Sequence, residues 1–162
     1  MIVEGAAWVF GDGIDTDVLA PGYAMKKSPE GLAQHCLEAI NPDFAKQVKP
    51  GDIVVAGANF GLGSSREQAA MALATLGVGA VLAKSFARIF YRNAINIGLP
   101  VVKIDLTDKV AAGELLRLDL AKGIIAQQTD GSEHELQPMP SHIIEILTAG
   151  GLMAQLKQKM GR

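Results

Sequence analysis

Between residues 52 and 104 the chain alternates short apolar segments with helical segments, and this alternation restricts the fold more than any other feature. Three short runs rich in Val, Ile and Ala are separated by two stretches with apolar residues at helical spacing; the runs are 52–57, 80–83 and 100–104, and the stretches are 65–76 and 85–98. Gly77 follows the first stretch and Gly98 closes the second, at positions typical of helix ends. Strand, helix, strand, helix and strand in succession indicate a parallel sheet covered by helices, so the sequence predicts an α/β fold.

The residues before this core predict one more strand and one more helix. Residues 3–10 are predicted to form a strand that ends at the glycine-rich turn 11–13. Ser28 is the predicted N-cap of a helix, because a proline follows it at the first helical position. Three apolar residues would share one face of that helix: Leu32, Cys36 and Ile40.

After residue 105 the pattern changes to short alternating segments, which predict additional antiparallel strands. These segments are 116–120, 123–128 and 133–137, and the turn pairs between them are 122–123 and 130–131. The tail 141–159 is predicted to be helical, with a break at 150–151. Neither a linker nor a repeat interrupts the chain, so residues 1–162 are predicted to form a single domain.

Composition argues against several classes of protein. No apolar run approaches the roughly 20 residues that span a bilayer, and the first residues carry Glu4 and no basic leader, so we expect a cytoplasmic protein without membrane contact. A formal net charge of -2 gives no general attraction for nucleic acid. Because Cys36 is the single cysteine, this chain alone can hold no internal disulfide, iron–sulfur cluster or structural zinc.

The glycine-rich stretch GANFGLGSSREQAA, residues 57–70, is the strongest candidate for a functional site. A strand, a glycine loop and a helix start in this order direct unpaired backbone N–H groups toward an anion such as a carboxylate. Arg66 adds a fork of charged donors, and Ser64 and Ser65 add hydroxyl groups. The same residues also fit a capping box, in which Ser64 only caps the helix and Glu67 reaches back toward it.

Three further groups of residues each leave two interpretations open. The aspartates of the predicted loop 11–17 fit either a metal site or turn-forming carboxylates. The exposed loop 23–27, with an aromatic residue and two cations, fits either a substrate-sensing loop or a plain surface loop. A strip of cations spaced four apart on a predicted helix face fits an anion-facing or a solvated surface: Lys84, Arg88 and Arg92. No metal site is predicted, because the three histidines share no ligand spacing.

Two long runs, GANFGLGSSREQAAMAL and AVLAKSFARIFYRNAINIGLP, closely resemble the 3-isopropylmalate dehydratase small-subunit family, which is similar to the swivelling domain of aconitase. The similarity extends from GDGIDTD at residues 11–17 to at least Pro100. It implies a swivelling β/β/α domain, in agreement with a parallel sheet section that has additional antiparallel strands. It also implies a hydro-lyase that acts on hydroxy di- or tricarboxylates only together with a large subunit. The [4Fe-4S] cluster is expected on three cysteines of that partner, where it would hold the leaving hydroxyl as a Lewis acid, and no cofactor is expected on this chain.

The resemblance implies roles for four residues through their positions in the motifs. Ser64 matches the serine that removes the proton next to a substrate carboxylate, Ser65 and Arg66 match contacts to that carboxylate, and Asp17 matches an active-site aspartate. A serine hydroxyl is too weak an acid for this role unless its alkoxide is stabilised. We expect the helix start, nearby N–H groups and Arg66 to provide that stabilisation.

The substrate loop departs from the family pattern, which places a Tyr-Leu pair here. Tyr23 is followed by Ala24, Met25 and Lys26. Ala24 and Met25 would present apolar surface to an alkyl group, whereas Lys26 or Lys27 would pair with an additional carboxylate. The resemblance favours 3-isopropylmalate and leaves homoaconitate and 2,3-dimethylmalate as alternatives.

Two other classes of function stay open at this point. The chain fits a non-catalytic module that uses the helix start only to bind an anion. A nucleic-acid binder that uses the strip of cations is opposed by the net charge. Neither the identity of the large subunit nor self-association of the isolated chain follows from the sequence.

Overall fold

The computed structural model describes residues 1–161, which contain one seven-stranded mixed sheet. The strands are β1 Ile2–Val9, β2 Ile53–Ala56, β3 Ala80–Ala83, β4 Val101–Lys103, β5 Leu115–Asp119, β6 Ile124–Gln127 and β7 Glu133–Glu135. Their order across the sheet is β4-β3-β2-β1-β5-β6-β7. The predicted α/β fold, with a parallel section and additional antiparallel strands, is therefore confirmed.

Strand β1 joins the two sections because its two halves have different partners. Residues 7–9 pair in parallel with β2, whereas residues 2–6 pair antiparallel with β5. Strands β2, β3 and β4 continue the parallel section. Every residue of β2 and β3 is buried, as expected for strands covered on both faces.

The antiparallel section turns at the two glycines that the sequence indicated. Gly123 lies between β5 and β6 with a φ of +69°, and Gly131 lies between β6 and β7 with a φ of +76°. A side chain disfavours such left-handed backbone, so glycine suits both turns. The exposed residues of β5 alternate with buried ones, which leaves one face of this section open to solvent.

The described residues form seven α-helices around the sheet: α1 Thr16–Leu19, α2 Pro29–Ala33, α3 Phe44–Gln47, α4 Gln68–Thr75, α5 Arg88–Asn96, α6 Ser141–Ala149 and α7 Leu152–Met160. A short 3-10 helix, Gly22–Ala24, follows α1. The Ser28 cap and the break at 150–151 agree with the sequence. Among residues 1–161, no helix has the length and apolar character needed to cross a bilayer.

Four of the differences from the sequence predictions concern the helices α1, α2, α4 and α5. The loop predicted at 15–17 instead begins α1, because the Asp15 carboxylate accepts the Val18 N–H and caps a single turn. Helix α2 ends at Ala33 rather than continuing to Ile40, which is 51% exposed. Leu37, with a φ of +61°, lies in the region where the predicted helix would have continued and cannot belong to a right-handed helix.

The other two differences concern the helices that follow β2 and β3. Helix α4 begins at Gln68, three residues later than the predicted start, so both serines of the glycine-rich stretch lie before the helix. Helix α5 begins at Arg88, because residues 85–87 form backbone contacts with the neighbouring loop. Lys84 therefore lies outside this helix, and the predicted strip of cations on one helix face does not exist.

Candidate active site

The candidate site lies where the loops after β1, β2 and β3 meet at the carboxyl ends of the parallel strands. Asp15 pairs with Leu62, and Phe60 pairs with Phe86, as isolated parallel bridges between these loops. The Gly61 N–H donates to a loop carbonyl that follows β1, at 2.7 Å. Ligands of open α/β sheets bind at this edge, because loops from several strands converge there.

Phe60 has a packing role beneath the site and takes no part in its chemistry. Its side chain is fully buried and contacts Phe86 and Phe90 in edge-to-face geometry. Gly61 follows it with a φ of +83°, and a Cβ at this position would overlap the Phe90 ring. The aromatic residue and the glycine of the motif thus hold the loop close to α5.

Ser64 is exposed, and Thr16 holds it in place. The Ser64 N–H donates to Thr16 Oγ1 at 3.2 Å, and the two hydroxyl oxygens lie 3.3 Å apart. Thr16 is only 4% exposed, so its hydroxyl is fixed by the surrounding structure. Gly63 permits this approach, because a Cβ there would lie 2.8 Å from Thr16 Oγ1.

The capping-box interpretation of Ser64 is wrong. Helix α4 has Glu67 at its N-cap, and no side chain makes a capping hydrogen bond. Within the described chain, the backbone N–H groups of residues 65–68 have no hydrogen-bond partner. Four donors are therefore available to an anion beside Ser65, which is also exposed. Because α4 starts after these residues, its dipole acts on Ser64 from a greater distance than the sequence predicted.

Arg66, two residues after Ser64, forms an ion pair with Asp17. Arg66 Nη1 donates to Asp17 Oδ1 and to the Ala20 carbonyl, each at 3.1 Å. Asp17 Oδ1 also accepts the Gly22 N–H at 3.0 Å. These donors, with the Gly22 N–H first, lower the pKa of Asp17 below 3.8, so the carboxylate is ionised at neutral pH. The Nε and Nη2 atoms of Arg66 have no partner among residues 1–161 and are available to a carboxylate.

The predicted substrate loop presents a different set of side chains from the one expected. Tyr23 is 71% exposed and Lys26 is exposed, which fits both a substrate-sensing loop and a plain surface loop. Ala24 is fully buried and Met25 is partly buried against the core, so Ala24 presents none of the apolar surface expected from these two residues and Met25 only part of it. Lys27 contacts another side chain, His35, which leaves Lys26 as the cation of the loop without a partner in the described structure.

The remaining candidates lie outside the site or have structural roles. Asp12 accepts the Ala58 N–H at 2.7 Å and thereby joins the first two loops. Residues 1–161 contain no group of three or more His, Cys, Asp or Glu side chains arranged to hold a metal ion. Cys36 is buried, and burial raises the pKa of its thiol far above the usual value. Arg88 and Arg92 are exposed on α5.

Sequence reasoning missed two residues: Thr16, which contacts Ser64, and His35, which contacts the substrate loop. The signal for Thr16 was its place between the two aspartates of the DTD stretch, where its buried hydroxyl meets the serine loop. His35 gave no signal, because the partners that define its role come from the loop before α2 and from the turn after it.

Comparison with known proteins shows the family of this chain. The family model of the aconitase C-terminal domain matches residues 21–106, and the chain belongs to that family. It is 54% identical over 150 residues to 3-isopropylmalate dehydratase small subunit 1 of Archaeoglobus fulgidus, with 92% of this chain and 93% of that protein covered. The family inferred from the sequence motifs is therefore confirmed, and its members include hydro-lyase small subunits.

Two proteins of Methanocaldococcus jannaschii extend the likeness to nearly the whole chain. The isopropylmalate/citramalate isomerase small subunit is 48% identical, with 98% of this chain and 96% of that protein covered. The crystal structure of a 3-isopropylmalate dehydratase matches with a TM-score of 0.92 at 45% identity, covering 99% of this chain and 96% of that chain. The swivelling-domain fold implied by the motifs is therefore shared with a solved relative.

Proposed function

We propose that this chain is the small subunit of a heteromeric hydro-lyase that interconverts 3-isopropylmalate and 2-isopropylmalate in leucine biosynthesis. It would act in the cytoplasm with a large subunit. One observation carries the proposal: the exposed Ser64 hydroxyl lies against Thr16, and its loop also holds Arg66 and a row of unpaired N–H groups. The relatives named as small subunits of this dehydratase support the same conclusion.

In this proposal Arg66 and the N–H groups of residues 65–68 bind a substrate carboxylate. The free Nε and Nη2 atoms of Arg66 can donate a pair of hydrogen bonds, the geometry that suits a carboxylate. Asp17 holds Arg66 through the third nitrogen, Nη1, at 3.1 Å. The exposed Ser65 hydroxyl lies in the same segment and can donate to the same ligand.

Ser64 then removes the proton from the carbon next to that carboxylate. Because a serine hydroxyl is a very weak acid, the alkoxide needs donors that are already in position. Thr16 supplies one, since Thr16 Oγ1 accepts the Ser64 N–H and keeps its own hydrogen to donate to Ser64 Oγ, 3.3 Å away. The proton returns from Ser64 when the unsaturated acid is hydrated in the reverse direction.

The residues of this chain do not fit an iron–sulfur cluster. A cluster needs several cysteine thiolates, whereas the one cysteine here, Cys36, is buried with a raised thiol pKa. We therefore place the [4Fe-4S] cluster on the large subunit and assign to this chain only substrate binding and proton transfer.

In this proposal the loop at residues 22–27 contacts the side group of the substrate. Tyr23, Lys26 and Lys27 are all exposed, but Lys27 contacts His35, so an additional carboxylate would meet Lys26 rather than Lys27. This contact would favour homoaconitate, one of the two alternatives to 3-isopropylmalate. A panel containing 3-isopropylmalate, citramalate, homoaconitate and 2,3-dimethylmalate, tested on one purified complex, separates these substrates by their kcat/KM values.

The experiment that tests the function is co-expression with a cysteine-bearing large subunit, followed by the hydration assay. Ser64→Ala should lower kcat by roughly 10²-fold or more, because it removes the group that transfers the proton. Ser141→Ala, an exposed serine at the start of α6, is the matched control and should leave kcat unchanged. Full activity of the Ser64→Ala complex would remove Ser64 from the mechanism.

A non-catalytic anion-binding module is the second candidate, because the unpaired N–H groups would also serve a passive site. Calorimetry on the isolated chain with a dicarboxylate distinguishes the two functions. Tight binding without the large subunit, together with no turnover when that subunit is added, would favour the passive module.

A further inference from the structure

A second cluster of polar side chains lies at the far end of the substrate loop, away from Ser64. His35 Nδ1 contacts both carboxylate oxygens of Glu38, at 3.0 and 2.9 Å. His35 Nε2 lies 3.1 Å from Lys27 Nζ, and the His35 ring contacts the Tyr23 ring edge-on at a centroid distance of 5.5 Å. One half-buried imidazole therefore connects two residues of the loop to the turn that follows α2.

The partners of His35 determine which of its nitrogens carries the hydrogen. An ionised Glu38 carboxylate only accepts hydrogen bonds, so the hydrogen must lie on Nδ1. A Lys27 ammonium only donates, so Nε2 must accept with its lone pair. Both contacts are satisfied together only by the neutral imidazole with its hydrogen on Nδ1.

The loop is held at both ends by this arrangement. At its start, the Gly22 N–H donates to Asp17, the same carboxylate that binds Arg66. At its end, Lys27 is held by His35, while the intervening Ala24 is fully buried. The position of the exposed Tyr23 and Lys26 side chains relative to Arg66 therefore depends on both anchors.

We propose that His35 is a positioning residue of the substrate loop, which holds Lys27 and the Tyr23 ring so that Tyr23 and Lys26 face the bound acid. This inference rests on the proposed function for its substrate. His35 contacts neither Ser64 nor Arg66, so its effect falls on substrate binding and not on proton transfer. Glu38 supports it by fixing the tautomer.

Steady-state kinetics of the reconstituted complex test this role through a split between KM and kcat. His35→Ala should raise KM by roughly 3- to 10-fold, the size of one lost hydrogen bond, and leave kcat within about twofold. His35→Gln should restore KM, because its amide oxygen can accept from Lys27. His35→Asn should not restore it, because its shorter amide replaces only the Glu38 contact. A fall in kcat with unchanged KM, or an equal KM for the Ala and Gln variants, would overturn the proposal.

A readout that needs no substrate separates this inference from the proposed function. In the full-length chain, nitrogen-15 spectra of the imidazole should show the hydrogen on Nδ1. Amine labelling followed by mass spectrometry should modify Lys27 more slowly than Lys26, and His35→Ala should remove that difference. If the complex turns over none of the acids but these two signatures hold, the proposed function fails while the anchoring of the loop stands. Equal labelling of the two lysines in the unaltered chain would refute the anchoring itself.

Discussion

Replacing Thr16 by valine tests whether the position of Ser64, and not its presence alone, supports activity. Thr16 Oγ1 is the atom that holds Ser64 twice, through the backbone N–H at 3.2 Å and the hydroxyl oxygen at 3.3 Å. Valine matches the threonine side chain in shape but removes this oxygen. The Thr16 N–H bond to the Leu62 carbonyl, at 2.8 Å, involves only backbone and should persist. The two loops should therefore stay together while Ser64 loses its partner.

The expected magnitudes follow from the exposure of the two partners. Ser64 is exposed, so its N–H can bind water after the change. The free energy of unfolding should therefore fall by only about 1 kcal/mol. A catalytic group that shifts by about 1 Å can lose about 10²-fold in rate. The Thr16 and Ser64 hydroxyl oxygens are 3.3 Å apart, a long hydrogen bond, so we expect at most that loss. The kcat should fall by about 10- to 100-fold, which raises the activation free energy by about 1.4 to 2.7 kcal/mol. KM should change little, because Arg66 and the free N–H groups remain.

The assay is hydration of the unsaturated acid by the reconstituted complex, with denaturant unfolding measured on the same preparations. Thr16→Ser keeps Oγ1 and should recover most of kcat, which separates the hydrogen bond from packing. A Thr16→Val complex with kcat within about twofold of the unaltered complex would refute the idea that Thr16 holds and stabilises Ser64. Equal losses for the Val and Ser variants would also refute it.

Two further predictions concern the backbone of the site and its ion pair. Gly61→Ala should destabilise the chain by about 2 to 5 kcal/mol in denaturant unfolding, because it adds an overlap with Phe90 to the cost of a φ of +83°. Gly13→Ala, with a φ of +70° and open space around it, should cost only about 1 to 2 kcal/mol, and equal effects would contradict the overlap. Asp17 should titrate below 3.8 in carbon-13 spectra, so its contribution to stability is present above that pH and is lost as the pH falls through the lowered value. Arg66→Gln should raise the Asp17 midpoint only in part, because the hydrogen bond from the Gly22 N–H remains, and full recovery to 3.8 would contradict a contribution from that N–H.

The sheet was predictable from the sequence because its strands carry their signals locally. The apolar runs in β2 and β3 are buried on both faces, and glycines mark the hairpin turns at 123 and 131. Burial patterns and turn preferences involve residues that are neighbours in the sequence, so they can be recognised in a single sequence. The pairing of β1 with two partners of opposite direction is a long-range choice that no local pattern encodes.

The site was predictable in its residue types but not in its contacts. Ser64 and Glu67 match the capping box in spacing, yet Thr16, a residue 48 positions earlier, takes the Ser64 N–H instead. Likewise, Lys27 and Lys26 are equivalent in sequence, and only the folded position of His35 distinguishes them. Competition between a local and a distant hydrogen-bond partner is decided by tertiary packing, which spacing alone does not reveal.

The way the site is assembled separates the chemistry of this chain from its choice of substrate. Ser64 and Arg66 are held by Thr16 and Asp17, which lie in the segment that follows β1, so these contacts join that segment to the loop that follows β2. The far end of the substrate loop is instead held by His35, from the turn after α2. Since Asp17 is the one hydrogen-bonded link described between Arg66 and this loop, changes at residues 23–27 can alter side-group recognition while the proton-transfer group keeps its geometry. Substitutions at Lys26 should therefore change relative kcat/KM values across the acid panel, and a substitution there that lowered kcat equally for every acid would contradict this separation.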